Sequence, residues 1–82
     1  MNLKLFCKEG RRDYPLPDGD VRIIDVLELK INIYTEEEAI QMAERILEGQ
    51  PKYILEAIES KRNEQGEIIF VPLFSKKEEQ NE

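Results

Sequence analysis

The apolar residues of this chain are numerous enough for both faces of a small sheet, yet only one segment has the pattern of an amphipathic helix. Apolar side chains alternate through residues 21–34, interrupted only at Asp25, and shorter apolar runs occupy residues 2–8, 53–61 and 67–74. These patterns predict four strands. One helix covers one sheet face, so the second face needs another cover. We therefore expect the chain to complete its fold, or to act, by placing a sheet face against another surface.

The helix is predicted over residues 36–48. Thr35 and Glu38 match a capping box, in which each side chain bonds to the backbone amide of the other residue. Gly49 suits a left-handed stop at the C-terminal end, and Pro51 prevents the helix from resuming. Apolar residues recur at helical spacing: Ala39, Met42, Ala43, Ile46 and Leu47.

The first half of the chain contains a long loop and a long strand. Residues 9–20 include two prolines and the turn signal Asp18-Gly19, which predict a loop. The run of residues 21–34 is long for a single strand, so we expect a bulge near residues 24–26.

The second half contains one ambiguous segment. Residues 52–62 have the composition of a helix, but Gly66 and the apolar run that follows it favour two strands joined as a hairpin. Pro72 cannot donate to a ladder, so the last strand is expected at a sheet edge or to end near this residue.

The predicted order of elements is strand, strand, helix, strand, strand. The fold class is therefore α+β, a small antiparallel sheet of about four strands with one amphipathic helix packed on one face. Residues 1–74 are expected to form a single domain and residues 75–82 a charged, flexible C-terminal tail. The helix is expected to pack against one row of the long strand: Leu27, Leu29, Ile31 and Ile33.

The opposite face of the sheet is the predicted interface with a partner. Four apolar residues lie in the register opposite the helix-facing row: Phe6, Ile24, Val26 and Tyr34. An apolar face of this kind serves a homodimer or a contact with another protein. The alternative is that the loop folds over this face through Tyr14 and Leu16 and closes a second small core.

The charge of the chain narrows the range of partners. The chain has 12 basic and 18 acidic residues, a net charge of −6. Residues 1–12 contain four basic residues and one acidic residue, a balance of +3, which leaves −9 for the rest. An acidic body disfavours nucleic acid, because duplex binding depends on cations that neutralise phosphates. A basic protein partner is compatible with this charge.

Two charged segments are candidate contact sites. Arg11 and Arg12, beside Tyr14 in the predicted loop, are either solvated or able to hold a phosphate or carboxylate through bidentate hydrogen bonds. The predicted helix has an acidic face that is either solvated or an imitation of a phosphate backbone. Its residues are Glu36, Glu37, Glu44 and Glu48.

The sequence offers little for catalysis or metal binding. It contains no histidine, the most common general base and metal ligand. Cys7 lies in an apolar run and is expected to be a buried structural thiol. Asp13, Asp18 and Asp20 share a loop but lack the spacing of a calcium site. We expect no enzyme activity, no cofactor and no metal, and a cytoplasmic protein without a membrane span.

In its short length, its acidic charge and its few strands with one helix, the chain resembles small inhibitor proteins of phages and mobile elements. The likeness is one of architecture, and it implies a viral protein that inhibits or regulates a host protein. We therefore expect a non-enzymatic protein-interaction domain that acts through an exposed sheet face and an acidic helix. The alternative is a domain that binds a small anionic ligand or nucleic acid through the Arg11/Arg12 loop.

Overall fold

The computed structural model describes residues 3–77. Its elements are α1 (Leu3–Phe6), β1 (Cys7–Pro15), β2 (Val21–Leu29), α2 (Glu36–Glu48), β3 (Tyr53–Arg62) and β4 (Ile68–Lys76). Neighbouring strands are antiparallel, and their order in the sheet is β1-β2-β4-β3. Helix α2 packs on one sheet face, so the predicted α+β class is confirmed. None of the helices within residues 3–77 is long and apolar enough to cross a membrane.

Helix α2 begins and ends where the sequence predicts. The Thr35 hydroxyl accepts a hydrogen bond from the Glu38 amide (3.2 Å) and donates one to the Glu38 carboxylate (3.0 Å), which stabilises the first turn. The expected left-handed stop is wrong, because Gly49 has a φ of −97°. Its amide instead donates to the Ile46 carbonyl (3.2 Å), and the Gln50 amide donates to the Leu47 carbonyl (3.0 Å). The buried residues of α2 are Ala39, Ala43 and Ile46.

Two hairpins with similar loops form the sheet. Residues 16–20 connect β1 to β2, and residues 63–67 connect β3 to β4. In each loop a glycine amide, that of Gly19 or Gly66, donates to the carbonyl three residues earlier (3.0 Å). Both glycines have positive φ, 94° and 81°, a conformation that glycine adopts without steric cost. The second hairpin confirms the strand predicted at residues 53–61 over its helical alternative.

The predicted strand at residues 2–8 and most of the predicted loop at residues 9–20 are wrong. Helix α1 makes one turn, and β1 occupies much of the expected loop. Leu3 and Cys7 are buried while Leu5 is 71% exposed, because residues four apart share one side of a helical turn. Strand β1 lacks an apolar period because it is an edge strand whose charged side chains bond to other strands.

Strand β2 is shorter than the apolar run that predicts it. Its pairing with β1 is continuous and ends at Leu29, so the bulge expected near residues 24–26 is absent from it. A bulge lies instead at Glu56 in β3. Ile31 is exposed, because the chain has left the sheet at this point, and it does not belong to the core row.

Strand β4 is an interior strand, contrary to the edge position expected from Pro72. It pairs with β3 along its length. It pairs with β2 at two positions, Leu27–Phe74 and Glu28–Leu73. The ladder between β2 and β4 thus ends at Leu73, one residue before Pro72 is reached. The absence of an amide N–H at Pro72 therefore costs this ladder little. Strand β4 continues to Lys76, so the start of the expected tail belongs to the sheet. Residues 78–82 of that tail lie outside the described residues.

The main core lies between α2 and the sheet face that it covers, here called the helix face. Phe74 of β4 is fully buried there. Residues from both helices, both hairpins and the segment after β2 form this cluster: Leu3, Cys7, Leu27, Leu29, Ile33, Ala39, Ala43 and Ile46. This burial of apolar surface is the main source of stability for the fold.

The opposite face, here called the second face, has a core of its own. Its buried residues are Val26, Ile69, Val71 and Leu73, with Ile24 and Ala57 packed beside them. A second small core was the alternative left open by the sequence. The loop does not close it in the expected way, because Leu16 is exposed and Tyr14 belongs to β1.

Curvature of the sheet closes this second core. Arg12 lies beside Ile24, and Glu59 lies beside Val71. In a flat sheet these two charged residues would be about 25 Å apart, at about 3.3 Å per residue and about 4.8 Å per strand. Their side chains instead form hydrogen bonds of 2.5 and 2.6 Å. The second face is therefore concave, as strand twist and the bulge at Glu56 favour.

Candidate functional site

A cleft separates the two hairpins on one side of their junction. Strands β2 and β4 pair at only two positions and then diverge, with β2 extending to Val21 and β4 to Lys76. The ladders among the described residues therefore pair residues 23–26 of β2 with β1 alone. Backbone groups of an antiparallel strand point alternately to its two sides. Half of the backbone groups in this stretch consequently face the cleft.

The cleft has a volume of about 630 Å³. Its β2 wall comprises residues 24–27, and Phe74 and Lys76 of β4 lie on the opposite wall with Tyr53 of β3. A smaller hollow of about 440 Å³ continues the cleft and adds Ile54. The walls are thus strand backbone and apolar side chains, with charged groups between them.

The cleft is basic although the chain is acidic. Five basic side chains line the cleft and its continuation against three acidic ones: Lys4, Arg11, Arg22, Lys76 and Lys77 against Glu9, Asp25 and Glu56. The chain as a whole has 12 basic and 18 acidic residues, so the sign of the charge is reversed here. Lys76 and Lys77 are exposed, and they supply positive charge opposite β2.

Next to the cleft, the projecting half of β2 exposes two large apolar side chains. Val21 and Ile23 are 57% and 62% exposed. They lie on the same face of β2 as Asp25 and buried Leu27. However, they are at the beginning of the strand, which the main core does not reach. Residues 21–26 of β2 and residues 75–77 are hereafter called the cleft surface.

The structure divides the four residues predicted to form a partner interface. Ile24 and Val26 line the cleft, but Val26 is 2% exposed because sheet curvature places it in the second core. Val26 is therefore a core residue and not a contact residue. Phe6 and Tyr34 are about half exposed and lie outside the cleft lining. The Phe6 carbonyl accepts a hydrogen bond from the Lys30 amide (3.0 Å), just after β2.

The residues expected to act as loop contacts, Arg11, Arg12 and Tyr14, lie in β1 and not in a loop. Arg11 lines the cleft, where its Nε is 3.2 Å from a carboxylate oxygen of Asp25. Arg12 donates two hydrogen bonds to Glu59, and these bonds are the main reason that the pKa of Arg12 is raised. With a third bond to the Arg11 carbonyl, three donors of the Arg12 guanidinium are used within the chain.

Arg12 belongs to a charge network on the second face. Glu28 lies 3.4 Å from Arg12 and accepts a hydrogen bond of 2.8 Å from Lys61. The bond from Lys61 lowers the pKa of Glu28, and burial opposes this shift. The bond from Arg12 similarly lowers the pKa of Glu59. The four side chains connect β1, β2 and β3.

The remaining candidates are spread over the molecule. The predicted acidic face of α2 is exposed at all four positions: Glu36, Glu37, Glu44 and Glu48. Cys7 is buried in the main core, and burial raises the pKa of its thiol, with Lys30 partly offsetting this. Between residues 3 and 77, no three acidic or cysteine side chains are grouped so as to hold a metal ion.

Sequence reasoning did not find the cleft. The helix-facing row was predicted from Leu27 to Ile33, without Val21 and Ile23, and residues 75–77 were predicted to lie in a flexible tail. One signal was present: Ile23 pairs with the charged residue Asp13, which offers it little apolar cover. The divergence of β2 from β4 has no local signal, because it depends on how the two hairpins pack.

No known protein family, no curated protein and no solved structure matches this chain.

Proposed function

We propose that the chain is a non-enzymatic protein-interaction domain whose contact region is the cleft surface. The observation that supports the proposal is the projecting half of β2. There, exposed Val21 and Ile23 adjoin a strand edge that the described ladders leave open. An apolar strand edge tends to pair with another chain, and proteins usually shorten, charge or cover it. A partner protein that covers this edge would prevent it from pairing with unrelated chains.

The charge and the architecture indicate the kind of partner. An acidic chain that engages Arg12 internally is poorly suited to a phosphate backbone. The architectural resemblance to phage and mobile-element inhibitors favours a host protein as the target. The exposed glutamates of α2 would then supply a second contact with complementary charge. A single buried thiol suits a reducing compartment, and we place the protein in the cytoplasm.

Site-specific photo-crosslinking tests this proposal. A photoreactive amino acid at Ile23 should trap a partner in lysate of the source cells, which mass spectrometry identifies and purified components must reconstitute. The matched control carries the same group at Gln65, exposed in the loop between β3 and β4 and outside the lining of the cleft and its continuation. Ile23→Asp should abolish the reconstituted complex without changing the circular dichroism spectrum. A partner trapped equally from both positions, or from neither, would refute the proposal.

Light scattering separates a partner protein from a second copy of the chain. We expect a mass of one chain, 9.7 kDa, over a wide range of concentrations. A mass that doubles with concentration, and that Ile23→Asp returns to one chain, would assign the cleft surface to a homodimer instead.

A further inference from the structure

We infer that the cleft binds an acidic segment of a partner protein in extended conformation, which pairs with residues 23–26 of β2 as an added strand. This inference rests on the proposed function and specifies its ligand. Three features of the cleft surface support it: the backbone edge of β2, the apolar side chains along it, and the lysines opposite.

The backbone edge determines the conformation of the ligand. At the junction, β2 and β4 are hydrogen-bonded neighbours at Leu27–Phe74, and from there the cleft widens toward Val21 and Lys76. A strand that enters from the wide end meets the amides and carbonyls of residues 23–26 at the spacing of a ladder. Addition of a strand to an exposed edge obtains affinity from main-chain hydrogen bonds and selectivity from alternate side chains.

The side chains determine the composition of the ligand. Ile24 lines the cleft from the second face of β2, so β-branched residues on that face of an added strand would find an apolar neighbour there. Lys76 and Lys77 lie on the opposite side of the cleft and its continuation. Lys76 lies two residues after Phe74 and therefore on the helix face of β4. Acidic residues at every second position of the added strand would face Lys76 on that side, and Lys77 adds positive charge just beyond β4. The expected ligand therefore alternates acidic and β-branched residues.

The same features argue against other anionic ligands. A small anion needs clustered donors, but Arg11 is paired with Asp25 at one wall of the cleft. A nucleic acid does not use strand backbone groups or isoleucine side chains of this kind. Only a polypeptide can both pair with the open backbone edge of β2 and pack against its apolar side chains, and the lysines then favour an acidic one.

Three blocked heptapeptides test the inference directly. The first alternates glutamate and valine, and the second alternates lysine and valine. The third is the glutamate peptide N-methylated at all seven residues, so that none of them can donate a ladder hydrogen bond. Each is titrated to millimolar concentration into the isotope-labelled full-length chain, followed by amide chemical shifts and hydrogen exchange. The first peptide should slow exchange at residues 23–26 and shift the signals of Lys76 and Lys77. The other two should not.

The lysines are tested by Lys76→Gln with Lys77→Gln, two exposed substitutions. We expect them to weaken binding of the glutamate peptide by about threefold to tenfold, the range for two exposed charge pairs. No saturable binding of the glutamate peptide would overturn the inference. So would equal binding of the N-methylated or lysine peptide, or tighter binding of a thymidine oligonucleotide. If crosslinking from Ile23 identifies a partner while these peptides fail, the proposed function stands and strand addition is rejected.

Discussion

Arg12 of β1 donates two hydrogen bonds to the carboxylate of Glu59 on β3, across both central strands of the sheet. Residues on the two outer strands of a four-stranded sheet meet only where that sheet is strongly curved. The contact therefore marks the closure of the second face, and the same curvature accompanies the divergence of β2 from β4 that opens the cleft. One geometric property thus produces both a second core and a candidate binding site.

Arg12→Ala should lower the free energy of unfolding by about 1–2 kcal/mol, because two partly buried carboxylates lose a donor while keeping some contact with water. Urea denaturation measures this change. The matched control is Arg11→Ala, whose ion pair with Asp25 is largely exposed and should change stability by less than about 0.5 kcal/mol. Equal effects of the two substitutions would contradict the closure role of Arg12.

The network should also make stability depend on pH in the acidic range. Glu28 and Glu59 have lowered pKa values in the folded chain, so their contribution is complete above their unfolded pKa of about 4.3. It is lost as the pH falls through the folded values. Denaturation of the natural chain and of Glu28→Gln with Glu59→Gln should give a stability difference that shrinks below this pH. A difference that stays constant would disprove the linkage.

Gly10→Ala should destabilise the fold by about 1–3 kcal/mol. A Cβ at Gly10 would lie 2.5 Å from a carboxylate oxygen of Glu28, which Lys61 and Arg12 hold in place. Gly49→Ala is the control, since its Cβ would meet nothing closer than 3.9 Å. We expect that substitution to be neutral or slightly stabilising, and thermal unfolding compares the two variants.

The core position of Val26 on the second face is tested by Val26→Asp, with Phe6→Asp as the comparison. An unpaired charge in the second core should leave the chain largely unfolded. Phe6→Asp, at an exposed position, should keep the native circular dichroism spectrum. A folded Val26→Asp variant would mean that the second face is open to solvent.

Cys7 should react slowly with iodoacetamide in the folded chain. Its thiol is buried in the main core and has a raised pKa, so both access and the thiolate fraction are reduced. Because it is the sole cysteine, mass spectrometry of the alkylated chain reports on this site alone. We expect alkylation at least about tenfold slower than in urea. Similar rates in both conditions would show that α1 does not protect the thiol.

The local elements that sequence predicted best are those whose signals lie within a few residues. The boundaries of α2 follow from Thr35 and Glu38 at one end and from Gly49 and Pro51 at the other. The second hairpin follows from Gly66 and the apolar run after it. In contrast, β1 contains charged residues and has no apolar period, so no pattern in the sequence predicts it. The first predicted strand, residues 2–8, falls mainly on α1.

The sequence alone determined the α+β class, the order of the main elements and the acidic charge, because periodicity, caps and turns act over short distances along the chain. Tertiary structure decided the rest. Pairing of β2 with β4 at only two positions, and the contact of Arg12 with Glu59, join residues far apart in sequence. Whether an apolar residue such as Val26 is core or Ile23 is surface depends on how the sheet curves. That curvature arises from the packing of two hairpins, for which the chain carries no local pattern.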